Sequence, residues 1–296
     1  MTLPLLELVR TRTVLFDGAL GTELMARGLG QGVPPELWNA DCPDAVREIH
    51  AAYFEAGSDV VSTNSFGGTA LKLAAHGLEG RAYELNRAAA RLAREAAPPG
   101  GYVAGSMGPT GKFLKPQGPA TVAEFVAAFA EQARGLADGG ADAFIIETQY
   151  DLREALAALS GARSVSSLPV FVTMTFNAFP RGYFTIMGDS AARSASELEK
   201  AGAAAVGANC SLTSEQMVGC VGALRAATDL PLIAQANAGQ PVVGSDGSVS
   251  YTQPLEDYVK FVPGLVNAGA GFVGGCCGTN PDYIRAMARA IRKEGS

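Results

Sequence analysis

Two adjacent cysteines, Cys276 and Cys277, stand in the run Gly274-Gly275-Cys276-Cys277-Gly278-Thr279, and a third, Cys210, stands in Gly207-Ala208-Asn209-Cys210-Ser211. Each run follows a short apolar stretch of the kind that forms a buried strand. Neighbouring Cα atoms lie only about 3.8 Å apart, so a disulfide between Cys276 and Cys277 would be strained. Three thiolates gathered by a fold suit Zn²⁺, which is usually tetrahedral, and leave its fourth position open to a substrate. An open position marks a catalytic ion. The competing uses are a zinc-binding module without catalysis and a redox module in which Cys276 and Cys277 cycle. Cys42 and Cys220 read as inert packing thiols.

Two carboxylates join the cysteines as candidates. Asp17 opens Asp17-Gly18-Ala19-Leu20-Gly21-Thr22, and Glu147 ends the apolar run Phe144-Ile145-Ile146. A carboxylate closing such a strand is costly to bury unless something pairs with it. Together the two would suit a substrate ammonium group; alone, either could be structural, with Asp17 capping the next helix. The glycines of this run do not form the GxGxxG pattern of a dinucleotide site. His50 falls within the helical pattern Ala45–Ala56 and His76 lies just before Gly77, so neither is expected at the site, and Ser–His hydrolysis is not expected either.

The elements that must position these groups are legible as a repeating unit. Ala-rich helical segments end at glycine and give way to apolar runs, as at Ala56-Gly57-Ser58-Asp59-Val60-Val61 and Ala268-Gly269-Ala270-Gly271-Phe272-Val273. Glycine just past a helix end tolerates the left-handed cap conformation. The apolar runs do not alternate, as parallel strands buried on both faces should not. Eight strands are predicted: Thr13–Asp17, Val60–Asn64, Tyr102–Ser106, Ala143–Glu147, Val170–Thr175, Ala205–Cys210, Leu232–Ala236 and Gly271–Gly275. Helical patterns separate them, several opening on a capping box: Thr121–Glu124, Asp151–Glu154 and Thr213–Gln216. Eight such units predict a single (β/α)8 TIM barrel, an α/β fold, occupying residues 1–296 with its site at the C-terminal rim of the strands. Asp17, Asn64, Ser106, Glu147, Thr175, Cys210, Asn237 and the Cys276–Cys277 pair fall at that rim. Long connections follow the third, fifth and seventh strands, over Gly108–Ala120, Phe176–Ser190 and Ala238–Pro254.

Bulk composition fits one large core. The 296 residues are 48% hydrophobic and 18% charged, and the net charge of -6 argues against a nucleic-acid footprint. No run approaches the roughly 18 apolar residues of a membrane span. Leu3–Phe16 is interrupted by Glu7, Arg10 and Arg12 and does not read as a secretion signal. Five cysteines without such a signal suggest a reducing, cytoplasmic setting.

Taken together, Asp17-Gly18-Ala19-Leu20-Gly21-Thr22-Glu23, Thr63-Asn64-Ser65-Phe66-Gly67, Gly108-Pro109-Thr110-Gly111, Glu147-Thr148, Asn209-Cys210-Ser211, Asn237-Ala238-Gly239 and the double-cysteine run resemble the homocysteine S-methyltransferase family. The likeness is greatest to the homocysteine-binding module of cobalamin-dependent methionine synthase. It covers the chain from Asp17 to about Tyr283. The resemblance implies a zinc-bearing barrel with Cys210, Cys276 and Cys277 as ligands and Asn237 as a fourth contact before homocysteine arrives. It implies that Asp17 and Glu147 hold the amino group of homocysteine. Backbone amides around Gly18, Ala19 and Thr22, with the Ser106 region, would receive its carboxylate, and Asn64 belongs to the same binding set. The implied activity is methyl transfer to homocysteine, giving methionine. The implied donor is methylcobalamin held by another module or a corrinoid protein, because neither histidine stands in the Asp-x-His-x-x-Gly setting of a cobalamin module and the chain has no room for a folate-binding barrel. A stand-alone enzyme using S-methylmethionine or betaine is the alternative, although the C-terminal arm general in the betaine branch is absent.

Overall fold

Apolar runs that do not alternate need cover on both faces, and they receive it in the computed structural model, which describes residues 3–244 and 249–294. All eight predicted strands form. They are β1 (Val14–Leu15), β2 (Val60–Ser62), β3 (Tyr102–Met107), β4 (Ala143–Gln149), β5 (Val170–Met174), β6 (Ala205–Thr213), β7 (Leu232–Asn237) and β8 (Ala270–Gly275). The sheet runs β1-β8-β7-β6-β5-β4-β3-β2 with every neighbouring pair parallel. A bridge from Phe16 to Val60 brings β1 to β2 and closes the ring. Helices alternate with the strands and surround them, which makes the fold a single (β/α)8 barrel.

The period of two along each strand divides the core. Outward residues such as Val61, Val103, Phe144 and Val206 pack against the helices. Inward residues form a separate cluster: Val14 and Phe16, Val60, Tyr102 and Ala104, Ala143 and Ile145, Phe171, Ala205, Ile233 and Phe272. The Phe272 ring meets Phe16 edge-on at 5.8 Å and Phe171 at 5.2 Å, filling the axis. Leu5, on the helix Leu5–Thr11, packs onto this cluster from the N-terminal end of the chain. Continuing the inward parity by two or four residues reaches Ser106, Glu147, Asn209, Gln235 and Cys276. The barrel's own alternation therefore delivers polar groups to its mouth.

Some local expectations are corrected. β4 and β6 run beyond Glu147 and Cys210, because the register shifts between Ile146 and Gln149 and between Asn209 and Thr213 let pairing resume past the irregularity. The capping boxes at Thr121 and Thr213 are present. At Asp151 the box is not reciprocal: Asp151 accepts from the Arg153 N–H, while Glu154 turns away to accept from the Thr110 N–H and hydroxyl. Glu154 thereby fastens the long connection after β3 to a helix. Two of the connections expected as loops contain short antiparallel hairpins, Asn177–Phe179 with Gly182–Phe184 and Pro241–Val243 with Val249–Tyr251. Positions 245–248 of the latter connection lie outside the described residues. No helix among the described residues is long and apolar enough to cross a membrane.

Candidate active site

Strict alternation would point Cys210 away from the mouth, since Asn209 before it faces inward. The chain breaks alternation there: Cys210 and Ser211 adopt φ of 64° and 55°, the left-handed region that side chains rarely occupy. A bulge of this kind re-aims a side chain beside a site. It brings the Cys210 sulfur to 4.0 Å from that of Cys277, which lies 4.0 Å from Cys276. All three sulfurs lie within 4.8 Å of one another, and the group could hold a metal ion. Four ligands at 2.3 Å around a tetrahedral zinc stand about 3.8 Å apart, close to the spacing found. Asn237 packs against Cys210, and its buried Oδ1 has no hydrogen-bond partner among the described residues. A soft, electron-rich donor set beside an orphaned oxygen fits zinc well.

The thiols also share charge. Hydrogen bonds from Cys276 and Cys277 pull the Cys210 thiol well below its usual range, and the same bonds push Cys276 and Cys277 up. Around the cysteines the chain is built for close approach. A Cβ on Gly275 would meet Thr279 Oγ1 at 2.2 Å, and one on Gly278, at φ 82°, would meet the Tyr251 ring at 2.3 Å. Tyr251, carried on the second hairpin, lies against Gly278 and Cys277. After the pair, Asn280 Oδ1 accepts from the N–H groups of Asp282 and Tyr283 and caps the last helix.

The carboxylates share the same cavity, about 490 Å³ in volume and lined by Asp17, Gly18, Ala19, Thr22, Asn64, Ser106, Glu147 and all three cysteines. Asp17 does not cap the next helix. Its two oxygens take the Ser62 N–H at 2.7 Å and the Ser62 hydroxyl at 3.1 Å. Burial raises its pKa well above the usual carboxylate range, and the nearby Glu147 raises it further. Glu147 is pushed up to about 7, chiefly by burial, while a hydrogen bond from the Ser106 hydroxyl opposes the rise. Neither acid has a cationic partner among the described residues. The Asn64 amide is committed elsewhere, donating to Pro35 O and Asn39 Oδ1, so it braces the loop that forms one wall. The Ala19 N–H donates to Thr279 Oγ1.

Three features escape sequence reasoning. His76 lies on the cavity's outer edge beside Lys72, contrary to the expectation of no imidazole there; its short 3-10 turn is carried to the rim by the connection after β2. Tyr251 reaches the thiols only because the hairpin folds back. Thr148, at φ 60°, breaks alternation after Glu147 much as Cys210 does after Asn209. Its sequence signal is the Glu147-Thr148 pair, which gives no hint of the left-handed backbone.

A sequence profile described as homocysteine S-methyltransferase matches residues 14–291. The chain belongs to the homocysteine S-methyltransferase family. Methionine synthases of Mycobacterium tuberculosis and Mycobacterium leprae are each 33% identical to it over 97% and 98% of its length. This family member spans about a quarter of those relatives, 25% of each. Among solved structures, the metallated form of the homocysteine methyltransferase MmuM from Escherichia coli superposes with a TM-score of 0.79 at 27% identity, covering 97% of this chain and 99% of the other. Its oxidized form gives a TM-score of 0.80 at 27% identity over the full length of both.

Proposed function

We propose that residues 1–296 form one homocysteine-activating domain, which prepares the homocysteine sulfur for methyl transfer to give methionine. In this reading Cys210, Cys276 and Cys277 hold Zn²⁺, with Asn237 as a contact before substrate enters. The observation that carries it is the meeting, in one cavity, of three sulfurs with two buried acids that lack a cationic partner among the described residues. Bound there, the ion supplies Lewis acidity that keeps an entering thiol deprotonated at neutral pH. Asp17 and Glu147 receive the ammonium group and orient the other end of the amino acid toward the sulfurs. Polar backbone around Gly18, Ala19 and Thr22 lies beside them for the carboxylate. A carbon–sulfur bond then forms as the bond between the methyl group and its carrier breaks.

We assign the carrier to a methylcobalamin-bearing module outside this chain. The length of the methionine synthase relatives supports the assignment, and so does the surface. Among the described residues, nine of the twelve large apolar side chains exposed on the barrel, including Phe66, Phe113, Phe179, Ile186 and Val243, sit on connections that follow strand C-termini. Exposed apolar surface concentrated at one face is a mark of a docking site. End-to-end likeness to the Escherichia coli homocysteine methyltransferase favours a second reading, a self-sufficient enzyme with a small sulfonium or betaine donor. Zinc analysis followed by homocysteine titration tests the acceptor half; one ion per chain and a changed metal spectrum are expected, whereas a redox module would lose thiols on oxidation and ignore the amino acid. A panel of methylcobalamin, S-methylmethionine and betaine then separates the two donors.

A further inference from the structure

Asn209 is buried at 1% exposure, between the sulfurs and the turn that follows Glu147. Its Oδ1 accepts from the Thr148 N–H and from the Thr173 hydroxyl, both at 2.8 Å. With two donors fixed on the oxygen, the amide nitrogen has one orientation. Nδ2 donates to Thr148 Oγ1 at 2.8 Å and to Cys276 Sγ at 3.7 Å. The Asn209 carbonyl is held as well, accepting from the Thr175 hydroxyl at 3.1 Å. One side chain thus touches a sulfur of the triad and clamps the left-handed residue next to Glu147.

We propose that Asn209 is the positioning residue that couples the thiolate cluster to the amine-binding carboxylate, an inference that rests on the functional reading above. An N–H donor selects the deprotonated sulfur as its acceptor and withdraws electron density from it, as hydrogen bonds to ligating groups do. The clamp on Thr148 maintains a φ of 60°, which a threonine does not hold without support. Without the clamp the 147–149 segment can return to regular strand pairing, and Glu147 then loses its aim.

Cobalt(II) is the probe, because thiolate-to-cobalt charge transfer reports on sulfur directly. Two variants separate the roles. Asn209→Asp keeps the acceptor for Thr148 and Thr173 and loses the N–H; Asn209→Ala loses both. Both variants are expected to bind cobalt about 10–100-fold more weakly than the native chain, as loss of an outer-shell partner does, with the charge-transfer band moved to lower energy. Only Asn209→Ala is expected also to need more homocysteine to perturb that band. Circular dichroism checks that each folds, and Asn209→Asp carries the test if Asn209→Ala does not. A native band and native cobalt affinity in Asn209→Asp would overturn the proposal while leaving the family reading intact. A native protein without any thiolate–cobalt band would overturn both.

Discussion

Glu147 offers the sharpest test of the substrate assignment, because its protonation must change when an ammonium group arrives. Burial raises it from 4.5 to about 7, so ionising it in the empty cavity costs about 3 kcal/mol relative to water. At pH 6 about nine-tenths of empty sites therefore carry the proton. An ammonium ion favours the carboxylate, so binding expels that proton, and homocysteine affinity should rise with pH up to about 7 and then level off in this component. Calorimetry at pH 6 in two buffers of different ionisation enthalpy counts released protons. The native chain should release about 0.9 more than Glu147→Gln, since the amide has no proton to give. At pH 8 the same variant should bind homocysteine roughly ten- to a hundredfold more weakly, the worth of a charge-assisted hydrogen bond of about 1.5–3 kcal/mol. Equal proton release from the two proteins at pH 6 would refute the assignment of Glu147 to the ammonium group.

Removing the spare oxygen with Asn237→Ala should weaken metal retention in the absence of homocysteine and leave it close to native in its presence, as equilibrium dialysis with and without the amino acid would reveal. Gly278→Ala should cost about 1–2 kcal/mol in a denaturant melt from its left-handed backbone alone, and the Cβ at 2.3 Å from the Tyr251 ring should displace the hairpin and lower metal affinity as well. His50 is fully buried with both ring nitrogens unpartnered among the described residues, and burial lowers it from 6.5 to about 4. The unfolded chain takes up that proton first, so stability tied to His50 is complete above pH 6.5 and is lost as pH falls toward 4. His50→Met should remove roughly 2–3 kcal/mol of the acid sensitivity seen in urea melts between pH 7.5 and 4.5; identical pH profiles would contradict the buried-imidazole account.

The fold was readable because its determinants are local. Glycines such as Gly57 and Gly269 do take left-handed φ of 111° and 107° at helix ends, and each apolar run after them is a barrel strand. Residues that end those strands converge for a topological reason, so the sequence alone makes neighbours of Asp17, Glu147, Cys210 and Cys276. What stayed hidden is non-local. Thr148 and Cys210 adopt glycine-like backbone without being glycine, held by partners such as Asn209, which lies 61 residues from Thr148 in sequence. Glu154 had the spacing of a capping residue and instead bonds Thr110, 44 residues away. Periodicity carries no trace of such contacts. Tyr251 is similar: an isolated aromatic in a polar segment signals nothing until the hairpin folds over Cys277.

The seam between β1 and β2 has a consequence for how the barrel breathes. Where other neighbours share a ladder, this pair shares one bridge and a backbone bond from the Asp59 N–H to Leu15 O at 2.7 Å, and is otherwise pinned by acids: Asp59 accepts from the Leu15 N–H at 2.9 Å, and Asp17 takes both donors of Ser62. Side-chain pins yield more readily than a continuous ladder, so slow amide exchange should fail here before it fails across β4–β5. Since one pin is itself a cavity wall, the tightness of the ring and the contents of its mouth are read out by the same amide, that of Ser62.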